Sequence, residues 1–228
     1  MVQSQTGKAI RKAFISTPVC FNLIQSQMLL DAAKIAGFEE TSIYSSPGMI
    51  AVKYCLQHND EKEIAILTFD FGGGFLDISV SVIESGIIDM KVKVGIMIGG
   101  IDFDNNLMSY MIQQFKNLHK KDLSDNQQAI HRLWSACERV KKTLSDNNQA
   151  HLDVESLFNG IDFKISITRD KFEELNVHIF KQCSEQLEEV LKLSKMSKSM
   201  INEVLLVGGS TRIPRGINLS QIFSIPTV

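Results

Sequence analysis

Residues 67–79, LTFDFGGGFLDIS, constrain this chain more than any other stretch. An apolar run ends in Asp70, three consecutive glycines follow, and a second alternating run carries Asp77. Glycines in a row are costly in a strand, since each loses more backbone entropy on folding than any other residue. They belong where the chain turns tightly and its N–H groups approach something closely. Between two β-type runs, Gly72–Gly74 predict a hairpin turn whose amides are placed to cradle a phosphate. Asp70 then sits at the mouth, positioned to hold a magnesium ion through its water. An ordinary glycine hairpin with two surface aspartates accounts for the same residues, and the segment alone does not choose between them.

A chain of 228 residues suffices for one large domain or two lobes. With 44% hydrophobic and 22% charged residues it has an ordinary globular composition. A formal charge of −2 offers no basic surface for nucleic acid or an acidic membrane. No apolar run reaches the roughly 18 residues of a membrane span, and the polar start MVQSQTGKAIRK is not a signal peptide. Cys20, Cys55, Cys137 and Cys183 stand far apart without CxxC spacing. They predict reduced core thiols and a cytoplasmic location rather than a disulfide frame or zinc site.

The first sixty residues read as strand, helix, strand, helix. Ala13–Thr17 is a β-type run; Asn22 caps a helix to about Ala36, with Leu23, Met28, Leu29, Ala32 and Ala33 as buried candidates. Ser46–Pro47 predicts the cap and first turn of a helix to about Gln57. After the polar stretch His58–Lys62, strands are expected over 64–70, 75–83 and 87–94 as an antiparallel meander. Asp102 is read as the cap of a helix to His119, and Asn126–Leu144 as a long helix. Two short strands around 151–154 and 163–167 follow, then one helix from Thr168 to about Lys192 and a strand over Glu203–Val207.

Two further constellations carry chemistry. In VLLVGGSTRIP (204–214) a buried-type strand breaks at Gly208-Gly209, a corner where a flat ring can lie against bare backbone. A tight strand-to-helix turn explains it equally well. In ACERVKKTLS (136–145), Glu138, Lys141, Lys142 and Ser145 fall at i, i+3, i+4 and i+7, on one helical face. That stripe suits a ribose and the flank of a purine. The plainer reading is a solvated face with a Glu138–Lys142 ion pair worth a few tenths of a kcal/mol.

DFGGGFLD, GGIDFDN, ACERVKKTLS, SITRDKFEEL and VLLVGGSTRIP occur in one order over about 145 residues. Together they strongly resemble the nucleotide-binding domain of the 70-kilodalton heat-shock chaperone family. STPVCFN and SSPGMIAVKYCL look like that family's TVPAYFN and NEPTAAAIAYGL, so the resemblance runs from about residue 7 onward. The DFG at 70–72 is not a protein-kinase signal, since neither HRD nor VAIK accompanies it.

The resemblance implies an α/β protein with the actin-like ATPase (ribonuclease H-like) fold: an incomplete first lobe and a nearly complete second lobe. Residues 1–60 would be the partial first lobe, 61–98 and 177–228 the base of the second, and 99–176 its outer subdomain. It implies ATP or ADP with Mg2+ in the cleft. Phosphates would meet Asp70 and Gly72, Gly73 and Gly74, with Asp77 beside them; Asp70 would reach the metal through water. Glu138, Lys141, Lys142 and Ser145 would face adenosine from one side. Gly208, Gly209, Ser210, Arg212 and Ile213 would face it from the other, Arg212 stacking on the base.

Several positions depart from the family pattern. Lys142 replaces the usual arginine and loses a planar stacking surface. Ser46 replaces the acidic residue that arranges magnesium and water, and Phe75 the threonine after the glycines. Ser26 stands for an arginine implicated in signalling, and Val94-Gly95-Ile96-Met97 match poorly. The family's opening phosphate hairpin, its lysine, the interdomain linker and the peptide-binding domain have no counterpart among these residues. The expectation is therefore a chaperone ATPase-domain fragment that holds nucleotide with hydrolysis lost or very weak. A non-enzymatic module competing for co-chaperones or nucleotide-exchange factors, or a product without a role, are the alternatives.

Overall fold

The computed structural model describes residues 7, 9–58 and 62–214; the expected ends of the chain's lobes and most of the 58–62 connection fall outside them. Among the described residues no helix is long and apolar enough to cross a membrane, and all four cysteines are free.

The central sheet grows from alternating apolar runs. Strands β3 (Ile64–Phe71), β4 (Leu76–Glu84) and β5 (Ile87–Ile96) form the expected antiparallel meander. The strand β8 (Glu203–Val207) adds in parallel to β3, giving the order β5-β4-β3-β8. Ser85 and Gly86, both at positive φ, make the two-residue turn between β4 and β5.

Leu67, Phe69 and Phe71 of β3 and Leu76, Ile78 and Val80 of β4 point to one face, by the two-residue period of a strand. There they meet helices α3 (Gly100–His119), α4 (Gln127–Asp146) and α6 (Val177–Ser194) in the main core. The hairpin β6 (Gln149–Phe158) and β7 (Ile161–Thr168), longer than expected, adds Leu152 and Phe163. The opposite face carries Ile66 and Ile83, packed with Ala51 and Tyr54 of α2 (Ser46–Gln57) in a smaller cluster. Strands β1 (Lys12–Thr17) and β2 (Glu40–Ser45) form a separate two-stranded parallel sheet, crossed by α1 (Leu23–Ile35).

Four local expectations need correction. Of the five candidates on α1 only Ala33 is buried, and Leu23 is 89% exposed, because a sheet of two strands offers the helix little to cover. Ser46 is the first residue of α2 rather than its cap; its hydroxyl donates to the Thr17 carbonyl at 3.2 Å. Asp102 is the third residue of α3, accepting the Gly99 N–H at 2.7 Å. The helix opened by Thr168 ends as α5 (Arg169–Leu175), and α6 starts after a break at Asn176. Asn176 is fully buried, donates to the Phe172 carbonyl at 2.7 Å and accepts from the Asn106 amide at 2.8 Å, so its side chain competes with the helix.

Phe103 sits at the centre of the main core, fully buried, with ring contacts to Phe71, Phe172 and Phe180. Phe103→Ala should cost about 3–5 kcal/mol through lost transfer energy and the cavity left behind. Urea unfolding measures it; a loss below about 1 kcal/mol would place the core elsewhere.

Candidate functional site

Three backbone corners meet at the end of β3. The first is the glycine turn, closed by the Gly72 N–H on the Phe75 carbonyl at 2.9 Å. The second is the start of α3, where Gly100 donates to the Gly72 carbonyl at 3.1 Å and Ile101 to the Gly73 carbonyl at 2.8 Å. A Cβ at Gly99 would be driven into the backbone of Gly73 and Gly74. The third is the exit of β8. Gly208 lies at φ +90 against the Phe71 carbonyl, a site with room for neither a Cβ nor an L-residue's usual backbone. Two residues on, the Ser210 hydroxyl donates to the Gly72 carbonyl at 2.8 Å.

Helix α4 closes this corner into a pocket of about 220 Å³. Nine of the residues named from sequence line it: Gly72, Gly73, Glu138, Lys141, Lys142, Ser145, Gly209, Ser210 and Ile213. The stripe on α4 is thus one face, as its spacing predicts, but its members differ. Lys141 turns inward, donating to Asp104 at 2.7 Å and to the Gly100 carbonyl at 2.9 Å, with only 13% of its side chain exposed. Burial raises the Asp104 carboxyl and the Lys141 hydrogen bond opposes the rise. Lys142 pairs with Glu138 at 2.7 Å near the solvent, and that bond lowers the Glu138 carboxyl. Ser145 donates to the Lys141 carbonyl at 3.2 Å.

Gly74, Gly208, Asp70, Asp77 and Arg212 do not line the pocket. Gly74 belongs to the far side of the turn, and Gly208 is pressed against Phe71. Arg212 is exposed on the short 3-10 turn Gly209–Arg212. Asp70 and Asp77 stand directly opposite each other on β3 and β4 and alternate onto the sheet face away from the main core. Four lining residues escaped the sequence reading: Gly100, Ile101, Asp104 and Trp134. The first three lie in GGIDFDN, a motif read for its cap and for the family resemblance but not for lining residues. Trp134 is one turn before Glu138, where extending the stripe backwards would have reached it.

On the Asp face, the Val19 N–H donates to both Asp77 oxygens, at 3.1 and 3.2 Å, joining the first segment to the hairpin. Phe75 packs edge-on to Phe21 with centroids 5.8 Å apart, beside the same junction. Asp70 has no hydrogen-bond partner among the described residues, and burial raises its carboxyl. No group of three or more metal-ligating side chains occurs among the described residues.

Burial pushes the Asp77 carboxyl up to about 6; the Val19 N–H opposes this, Asp70 adds to it and Lys93 subtracts. An acid whose folded pKa exceeds its ordinary value of 3.8 binds its proton more tightly when folded. Its stabilisation is complete below about pH 4 and lost as the pH rises through 6. Asp77→Asn should flatten that fall by an amount on the order of 2–3 kcal/mol, read from urea unfolding between about pH 4 and pH 7. Parallel profiles for the two proteins would refute it.

A family model described as Hsp70 protein matches residues 1–223. Heat shock cognate 70 kDa protein 3 of Dictyostelium discoideum is 43% identical over 222 residues, covering 96% of this chain and 35% of that protein. Heat shock 70 kDa protein of Penicillium citrinum is 45% identical over 210 residues, covering 92% and 42%. A ribosome-associated molecular chaperone of Saccharomyces cerevisiae is 43% identical over 217 residues, covering 94% and 35%. The chain thus spans a third to two-fifths of the length of these relatives. It belongs to the Hsp70 family, and its mixed α/β architecture is that of the family's actin-like ATPase fold.

Proposed function

We propose that the chain binds an adenine nucleotide in the pocket between the glycine corners and α4, and turns it over slowly. The observation that carries this reading is the meeting of three segments far apart in sequence, Gly72–Gly73, Gly100 and Gly209–Ser210, at one pocket flanked by Glu138, Lys141 and Ser145. The lining suits a ribose: Glu138 lies at the rim, with Lys142 and Ser145 on the same face of α4. The bare glycine backbone suits phosphate oxygens.

Magnesium, when bound, neutralises phosphate charge, and it takes one or two carboxylates together with waters and phosphates. Asp70 is the carboxylate available for that task, through a water; Asp77 is already engaged by Val19. Slow turnover follows from two residues. Ser46 is uncharged, is no base near neutral pH, and spends its hydroxyl on Thr17. Phe75 sets an apolar ring beside the phosphate turn. Nucleotide-exchange factors and other co-chaperones are the partners expected by family, in keeping with the chaperones among its relatives.

ADP with magnesium should raise the melting temperature of the purified chain by about 5–10 °C at a hundredfold excess over its Kd. Phosphate release from ATP should stay near background in the same sample. Glu138→Ala should weaken binding several-fold. Absence of both a thermal shift and calorimetric heat at millimolar ADP would rule the reading out, and rapid phosphate release would rule out slow turnover.

A further inference from the structure

A purine held in this pocket needs a planar partner, and the lining offers one. Trp134, the chain's only tryptophan, is the sole aromatic among the lining residues, which include no guanidinium. Arg212 is exposed and outside the lining, and Lys142 has no planar surface and is tied to Glu138.

Trp134 lies on α4, seven residues before Lys141 and so about 10 Å along the helix from the glycine corner that Lys141 touches. Its neighbours Leu133, Ala136, Cys137 and Val140 turn into the core, leaving the indole half-buried at the pocket wall. Among the described residues nothing stacks on it, no cation lies over it and its N–H has no acceptor. Ile101 and Ile213 extend the apolar lining.

The charges of the pocket point the same way. Asp104 pairs with Lys141 and Glu138 with Lys142, so the four ionised lining groups cancel. The carbonyls of Gly72 and Gly73 are also occupied by protein donors. A polyphosphate meets bare amides but no unpaired cation, whereas a flat heterocycle meets an open aromatic face.

We infer that Trp134 is the base-stacking, specificity-determining residue of this pocket, which selects a purine nucleoside more by its base than by its phosphates. The inference rests on the nucleotide reading above. Titrating adenosine, ADP and inorganic pyrophosphate into the full chain, with calorimetry and tryptophan emission read together, tests it. Adenosine should bind within about tenfold of ADP, pyrophosphate far more weakly, and both base-bearing ligands should change the emission. Trp134→Phe should hold ADP within a few-fold of the parent, and Trp134→Leu about tenfold more weakly, as expected for a lost base–aromatic stack. Emission unchanged at saturating ADP, full affinity in the leucine variant, or pyrophosphate binding as tightly as ADP overturns the role of Trp134 while nucleotide binding stands. If the parent chain binds neither adenosine nor ADP, both readings fall.

Discussion

The carbonyl of Gly72 is the point on which the site depends. It accepts the Gly100 N–H and the Ser210 hydroxyl, so one oxygen ties the meander to the start of α3 and to the exit of β8, 138 residues away. Each bond is worth about 1 kcal/mol net. Ordering three glycines costs a comparable amount, about 0.5–1 kcal/mol each relative to alanine. The bonds therefore do not hold the corner on their own. The apolar packing of Phe71 with Phe103 immediately behind the turn does that, and the bonds fix its geometry. Side chains are excluded at Gly99 and Gly208, where a Cβ would run into the backbone of Gly73–Gly74 and of Phe71, whereas a Cβ at Gly73 or Gly74 would meet nothing.

The same distinction between holding and positioning separates the two lysines of α4. The exposed Lys142–Glu138 pair is worth a few tenths of a kcal/mol, and its loss would pass almost unnoticed in stability. Lys141 is different. Asp104 is 2% exposed, and removing the ammonium would strand a buried carboxylate at a cost of about 3–5 kcal/mol. Adjacent residues with identical side chains thus serve different ends. Lys141 secures the start of α3 beneath the pocket, and Lys142 pairs with Glu138 at its rim.

Much of this was legible in the sequence, for a physical reason. Period-two alternation, a Ser-Gly turn and glycine runs are local signals, and β3, β4, β5 and β8 appear within one or two residues of expectation. Spacing likewise placed Glu138, Lys141, Lys142 and Ser145 on one face. Spacing could not say which of them turns inward, because that depends on Asp104, a residue 37 positions away. The break at Asn176 was hidden for the same reason: its competing hydrogen bond comes from Asn106, on another helix. Apolar residues on α1 read as buried because the pattern of a helix does not record how wide a sheet lies beneath it.

The face of the sheet that carries Asp70 and Asp77 shows how a charged site becomes a structural one. Asp77 accepts the Val19 N–H with both oxygens, Phe75 packs on Phe21, and Ser46 donates to Thr17. Each of these residues lies where the family resemblance expects a group that serves phosphate, metal or water. Asp77 and Phe75 instead tie the stretch after β1 to the hairpin, and Ser46 ties α2 to β1. Such contacts favour one fixed arrangement, whereas a phosphoryl-transfer site needs groups that are free to meet the nucleotide as charge develops. Beside the glycine turn, Asp70 keeps a carboxylate with no hydrogen-bond partner among the described residues. A single half-buried acid, raised by desolvation, holds a metal ion weakly unless phosphates supply the remaining negative charge. On the proposed nucleotide reading, metal binding at Asp70 would be coupled to nucleotide binding and secondary to it. A ligand that the other side of β3 grips by its base would bring the phosphates, and with them the metal, to Asp70.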